Sequence, residues 1–301
     1  YQADALAVQA QDPAGHELWT QVWSLPHAAD FRALTTAPGA GKVEATETAD
    51  SIRVQSGNLT VTISKQTGQL ASVQRGGQAF SLTNGPRLAV GEGTLASIEQ
   101  RMDGADCVVS ATYTGDLKSV RWRIRPNGWV QMDYAYALSG PQDFFGVSFD
   151  YPEANVKSLK WLGDGPYRTW KNRRAGGVLN VWQTAYNNTI TGDSLWQYPE
   201  FKGYYGGVRW AQLGTTEGPI TMALGRDSDF VQVFTPATVP PKQQGNTQVA
   251  FSEASLSFLQ AIPAMGSKFA KANTTGPQGQ QTVADGDYQG SVNFYFGEFS
   301  R

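Results

Sequence analysis

Val120, Trp122 and Ile124 alternate with Arg121, Arg123 and Arg125, and after Pro126-Asn127-Gly128 the alternation resumes at Val130, Met132, Tyr134 and Tyr136. A period of two is the mark of a strand with one buried and one polar face, and the Asn-Gly step between the two runs reads as a hairpin turn. The pattern recurs along the chain. Ser51–Gln55, Leu59–Ser64 and Gln69–Arg75 are strand-like runs separated by Ser56-Gly57-Asn58, Thr67-Gly68 and Gly76-Gly77, which reads as a meander. Further strands are expected at Gly207–Leu213, Ile220–Gly225, Phe230–Thr235, Ser255–Ala261 and Ser291–Phe299. No long segment follows the helical period of 3.6, so the chain is read as all-β, without a barrel of alternating strands and helices and without a dinucleotide-binding unit.

Composition narrows the function. In 301 residues the formal net charge is −2, and lysines and arginines cluster only at Arg121, Arg123, Arg125 and at Lys171, Arg173, Arg174. Nucleic acid, which needs a dense basic face, is therefore not an expected partner. No apolar run nears the roughly 18 residues of a membrane span, so no membrane is expected either. The single cysteine, Cys107, can form no internal disulfide or cysteine-based zinc site. There are 33 glycines, 15 prolines and 9 tryptophans, which suits a turn-rich β protein with many flat rings.

Three regions are expected. Residues 1–30 hold "ALAVQAQDPAGHELWTQVWSL", two strands about an Asp12-Pro13-Ala14-Gly15 turn, read as the end of a small sandwich or as strands packed on the larger one. Residues 31–49 read as a linker, and 50–301 as the main β domain. Pro236–Gly245 and Ala272–Asp287 read as loops.

Two blocks carry a resemblance. Trp161–Arg173 reads "WLGDGPYRTWKNR" and Tyr198–Trp210 reads "YPEFKGYYGGVRW". Together they resemble W-[FY]-G-x-G-P-x-E-x-Y-x-D-R and Y-x-x-P-Q-E-x-G-x-R-x-x-V-R-W of the C-terminal domain of glycoside hydrolase family 2, β-galactosidase type. Trp161, Gly163, Gly165, Pro166 and Arg173 match the first block, and Pro199, Gly203, Val208, Arg209 and Trp210 the second. "VTISKQTGQLASVQRGGQAF" resembles the opening of that domain and "LAVQAQDPAGHELWTQVWSLP" the end of the immunoglobulin-like domain before it. The chain departs from the pattern at Arg168, Trp170 and Asn172, where the family has Glu, Tyr and Asp, and at Phe201, Lys202 and Tyr205. The glycine-rich ending of the family is also missing.

The resemblance implies an antiparallel supersandwich of the galactose mutarotase-like kind, preceded by the remnant of an immunoglobulin-like sandwich. It also implies a TIM-barrel partner that carries the two catalytic glutamates, and a secreted or periplasmic bacterial setting. The expected function is accessory: contact with an oligosaccharide or polysaccharide without a catalytic pair of this chain's own.

Glycoside hydrolysis needs two carboxyl groups roughly 5–9.5 Å apart. Asp143, Asp150, Glu153, Asp164, Asp193 and Glu200 lie near aromatic-rich stretches, but no spacing selects a pair, and no catalytic residue is assigned. The only histidines, His16 and His27, lie outside the main domain, which argues against mutarotase chemistry. A polysaccharide lyase working through Tyr167, Arg168, Lys171, Arg173, Tyr204, Tyr205 and Arg209 is the alternative, with a purely structural support domain as the third reading. For glycan contact the expected residues are Trp170, Trp196, Tyr204 and Tyr205 as stacking rings, with Asp164, Arg168 and Arg173 at the polar edge of a groove. Trp161, Trp182 and Trp210 are expected in the core. No cofactor is expected, and the candidates for a structural calcium ion are the pairs Asp227, Asp229 and Asp285, Asp287.

Overall fold

The computed structural model describes residues 5–25, 32–189, 199–237 and 245–298. Strands β1 (Ala5–Gln11) and β2 (Glu17–Ser24) form a hairpin sheet of their own. After a short helix at Arg32–Thr36, a meander runs through β3 (Val43–Glu47), β4 (Ser51–Ser56), β5 (Leu59–Ser64), β6 (Leu70–Arg75), β7 (Gln78–Phe80) and β8 (Thr83–Leu88). A second meander follows in β9 (Gly93–Asp103), β10 (Asp106–Gly115), β11 (Leu117–Ile124) and β12 (Val130–Gln142). The chain then passes between the two sheets these meanders begin. β13 (Phe145–Asp150), β16 (Gly203–Tyr205), β19 (Phe230–Val233) and β20 (Leu256–Ala261) join the first. β14 (Val156–Gly165), β15 (Val178–Ala185), β17 (Trp210–Thr215), β18 (Ile220–Leu224) and β21 (Thr282–Phe296) join the second.

The result is a ten-stranded and a nine-stranded sheet, with every pairing among the described strands antiparallel. Period-two alternation builds the space between them. Along β12, Val130, Met132, Tyr134, Tyr136 and Leu138 point inward, while the residues between them are half-buried. The two sheets meet through rings. Trp122 and Phe294 of the nine-stranded sheet pack edge-on against Phe149 of the ten-stranded sheet at 6.4 and 5.5 Å. Phe149 also meets Phe258 at 6.1 Å. Each such buried ring contributes roughly 1.5–3 kcal/mol by leaving water. The Trp122 indole N–H donates to the Gly68 carbonyl at 3.2 Å, so its one polar atom is satisfied. Cys107 is a buried free thiol whose ionisation burial opposes.

The expected strands overlap observed ones, whereas β8, β9, β10 and β13 are not among those expected, and two further differences stand out. The last strand begins at Thr282, well before Ser291, because its polar first half pairs in register with β12 from Gln142 back to Tyr136. Two-sided polar pairing leaves no hydrophobic alternation to read, so Thr282–Asp287 looked like a loop. The stretch 31–49 is also partly built in: Val43–Glu47 pairs with β4 as an edge strand. Upstream of it, Asn127 donates to the carbonyls of Thr35 and Ala37 at 3.2 and 2.8 Å, strapping residues 35–37 to the Pro126-Asn127-Gly128 turn.

The β1–β2 hairpin sits beside β15, tied by Arg209 Nη2 to the Ser24 hydroxyl at 2.5 Å. One of its faces carries Leu6, Val8, Trp19 and Trp23, which are 54, 45, 52 and 47 % exposed.

Candidate functional site

The first motif block leaves β14 at Gly165 through a cis Gly165–Pro166 bond. Two of its glycines are closely approached by neighbouring groups. A Cβ at Gly163 would lie 3.0 Å from the Gly206 carbonyl, and one at Gly165 would lie 2.5 Å from the Trp182 ring. The backbone then runs alongside the second block, with Asp164 N–H donating to Gly206 O at 2.9 Å and Thr169 N–H to Tyr204 O at 2.8 Å. The two blocks are thus brought together.

Their rings do not face a groove, which corrects the expectation for Trp170, Tyr204 and Tyr205. Tyr204 and Tyr205 are 0 and 1 % exposed, and Trp170 is 7 % exposed. Trp170 and Tyr204 form a small second core with Phe230, Leu259 and Ile262, capped by Phe251. Tyr204 stacks on Phe251 at 4.8 Å and gives its hydroxyl proton to Ala250 O at 2.7 Å. Tyr205 packs edge-on against Trp161 at 4.8 Å and donates to Phe201 O at 2.5 Å. Burial raises the pKa of both phenols well above the ordinary tyrosine range. Phenols so buried and so bonded cannot reach a substrate proton, which removes Tyr204 and Tyr205 from the lyase set. Trp196 lies outside the described residues. Trp161 is buried as expected, whereas Trp182 and Trp210 are only half-buried.

The polar members hold structure instead. Arg168 is not at an edge: its side chain is 11 % exposed, pairs with Glu200 at 3.0 Å and donates to Lys202 O at 2.9 Å. Asp164 faces Arg174 at 3.6 Å. Arg173 donates to Gly266 O at 2.6 Å, and the Asn172 amide both donates to Met265 O and accepts from Met265 N–H, each at 2.9 Å. Lys171 N–H adds a bond to Pro263 O at 3.0 Å. The motif therefore clamps the segment 263–266.

That segment is one wall of a cleft of about 700 Å³. The other walls come from 245–250, from 271–273 and from 279–283, with Asp143 beside them. Short 3-10 turns at Gly245–Thr247, Ala272–Thr274 and Pro277–Gly279 fold these loops, and glycines let them close. A Cβ at Gly266 would lie 2.1 Å from Asn246 O, and one at Gly279 would lie 1.9 Å from Ala272 O. The lining is rich in primary amides: Asn246, Gln248, Asn273, Gln280 and Gln281. Of these, Gln280 donates to Asn273 O at 2.6 Å, while the amides of Asn246, Gln248 and Gln281 make no hydrogen bond to a described residue. Each amide offers two donors and an acceptor, which is the complement of a sugar hydroxyl pair. The volume lies within the usual range of ligand sites.

This cleft was not assigned from the sequence. The available signal was the amide density of Gln278, Gln280 and Gln281, in a stretch read only as a loop.

Several of the carboxylates weighed for an acid–base pair are held in ion pairs. Asp150 bonds Arg87 at 2.5 Å, and Glu153 bonds Lys202 at 2.6 Å and accepts from the Tyr186 hydroxyl at 2.5 Å. Burial disfavours the charged Glu153, but the bonds from Lys202 and Tyr186 outweigh it and hold its pKa below the usual carboxylate range. Burial and the Glu153 charge push Tyr186 up to about 12. Asp193 lies outside the described residues. Of the carboxylates weighed, Asp143 alone lines the cleft. Among the calcium candidates, Asp227 faces Arg209 at 3.3 Å and Asp229 faces Arg226 at 2.8 Å. No group of three or more His, Cys, Asp or Glu side chains placed to hold a metal occurs among the described residues.

No model of a known protein family matches the chain, and a comparison with curated proteins returns no match.

Proposed function

We propose that this chain is a carbohydrate-binding accessory region of a family 2-like glycoside hydrolase, and that its β-sandwich is of the galactose mutarotase-like supersandwich kind. The observation that carries the reading is the amide-lined cleft of about 700 Å³, whose free amides at Asn246, Gln248 and Gln281 suit neutral hydroxyls better than charged or apolar ligands. The size and antiparallel order of the two large sheets support the supersandwich, and the ordered motif blocks support the relationship to family 2. The lyase reading is weakened by the burial of Tyr204 and Tyr205.

The exposed apolar face of the hairpin supports a neighbouring domain in the same protein. Two-stranded hairpins are marginal alone, and Trp19 and Trp23 in water are a cost that a packed partner removes. In this reading the partner is the TIM barrel or the rest of an immunoglobulin-like domain.

The test is binding to a panel of neutral galactan, mannan and xylan oligosaccharides by calorimetry. The protein binds at least one, and the double variant Gln248→Ala, Gln281→Ala weakens that binding about tenfold, the loss of two modest hydrogen bonds. Hydrolysis of aryl β-glycosides on the order of 1–1000 per second by this chain would overturn the accessory reading.

A further inference from the structure

A second concavity of about 460 Å³ adjoins the first and has the opposite chemistry. Lys171, Arg174, Phe230, Gln278 and Thr282 help line it, and no acidic side chain does. Lys171 is half-buried, donates from Nζ to Gln280 O at 2.8 Å, and has no carboxylate partner among the described residues. Arg174 lies over the buried Phe230 ring at 5.4 Å, and its one carboxylate among the described residues, Asp164, stands 3.6 Å away and does not line the space. Two cations within one turn of chain thus share a half-enclosed space that lacks a full set of counter-charges, and such a space attracts an anion. The Gln278 amide, without a described hydrogen-bond partner, stands beside them as a hydroxyl ligand.

The two concavities share one ridge. Gln280 and Val283 line the amide cleft, Gln278 and Thr282 line the cationic one, and the Lys171–Gln280 bond crosses between them. A single glycan chain crossing the ridge would meet neutral and then cationic surroundings. We infer that the second concavity is the subsite for an anionic sugar residue, one bearing a carboxylate or a sulfate ester, next to a neutral stretch of the same glycan. Lys171 and Arg174 take the anion and Gln278 a hydroxyl. The inference rests on the glycan-binding reading above and adds the charge of the ligand.

The experiment titrates wild type, the Lys171→Gln, Arg174→Gln variant and the Gln248→Ala, Gln281→Ala variant. The probes are oligogalacturonate, its methyl ester, a sulfated galactan oligosaccharide and the neutral oligosaccharides. The expected result is that oligogalacturonate or the sulfated galactan binds best, and which of them does identifies the anion. The methyl ester then binds about tenfold more weakly than oligogalacturonate if the carboxylate is recognised. The Lys171, Arg174 variant loses about tenfold more for the anionic ligand than for the neutral oligosaccharides. Neutral glycans binding with no preference for either anion, or an unchanged double variant, overturns this inference and leaves the function standing. Binding to none of the probes overturns both.

Discussion

Trp170 and Tyr204 show why a ring in a glycine-rich motif is hard to assign from sequence. Both sit beside glycines and charges, as surface rings of sugar sites do, yet both are buried. What buries them is far away in the chain: Phe251 covers both rings, and the Ala250 carbonyl takes the Tyr204 proton. No local pattern predicts a partner some 46 residues distant. Their role is to hold 250 and 263–266 in place, so their loss is a loss of stability. Trp170→Ala is expected to destabilise the protein by about 3–5 kcal/mol through the cavity it leaves. Tyr204→Phe removes the hydrogen bond to the Ala250 carbonyl and costs about 0.5–1.5 kcal/mol. Urea unfolding measures both; a Trp170→Ala protein as stable as wild type, with glycan binding abolished, would return the ring to the ligand surface.

At the scale of elements, alternation made the meanders legible. β4, β5 and β11 from Val120 bury every second residue, and their bounds fall close to the turns Ser56-Gly57-Asn58 and Pro126-Asn127-Gly128. The first half of β21 and the edge strand β3 were not legible, since their pairing buries little apolar surface. Loops were less legible still, because a loop's position depends on what clamps it. One clamp is testable by pH. Glu153, in the 3-10 turn before β14, is bonded by Lys202 and Tyr186, and its folded pKa is held below the ordinary value of 4.5. A carboxylate with a depressed folded pKa contributes stability above its unfolded pKa and loses it as the pH falls through the folded one. Glu153→Gln should therefore be less stable than wild type at pH 7, with the gap closing below about pH 4. A gap that stays constant from pH 7 to pH 3 would mean that the Glu153 charge does not stabilise the fold.

The whole molecule separates support from contact. Two large sheets pack through Trp122, Phe149, Phe258 and Phe294, and the motif blocks supply parts of β14, β16 and β17 to them. The clefts lie at their margin, where loops at 245–250, 263–266 and 271–281 meet strand ends such as Phe230, Ala261 and Thr282. Loops on a rigid scaffold are where binding residues concentrate. The division is the central claim, and amide hydrogen exchange tests it most directly. With the best-binding oligosaccharide of the panel at saturation, slowed exchange is expected at 245–250, 263–273 and 278–283, while β14 and β16 exchange as in the free protein. Slowed exchange confined to 161–173 and 199–210, with those three loops unchanged, would contradict it.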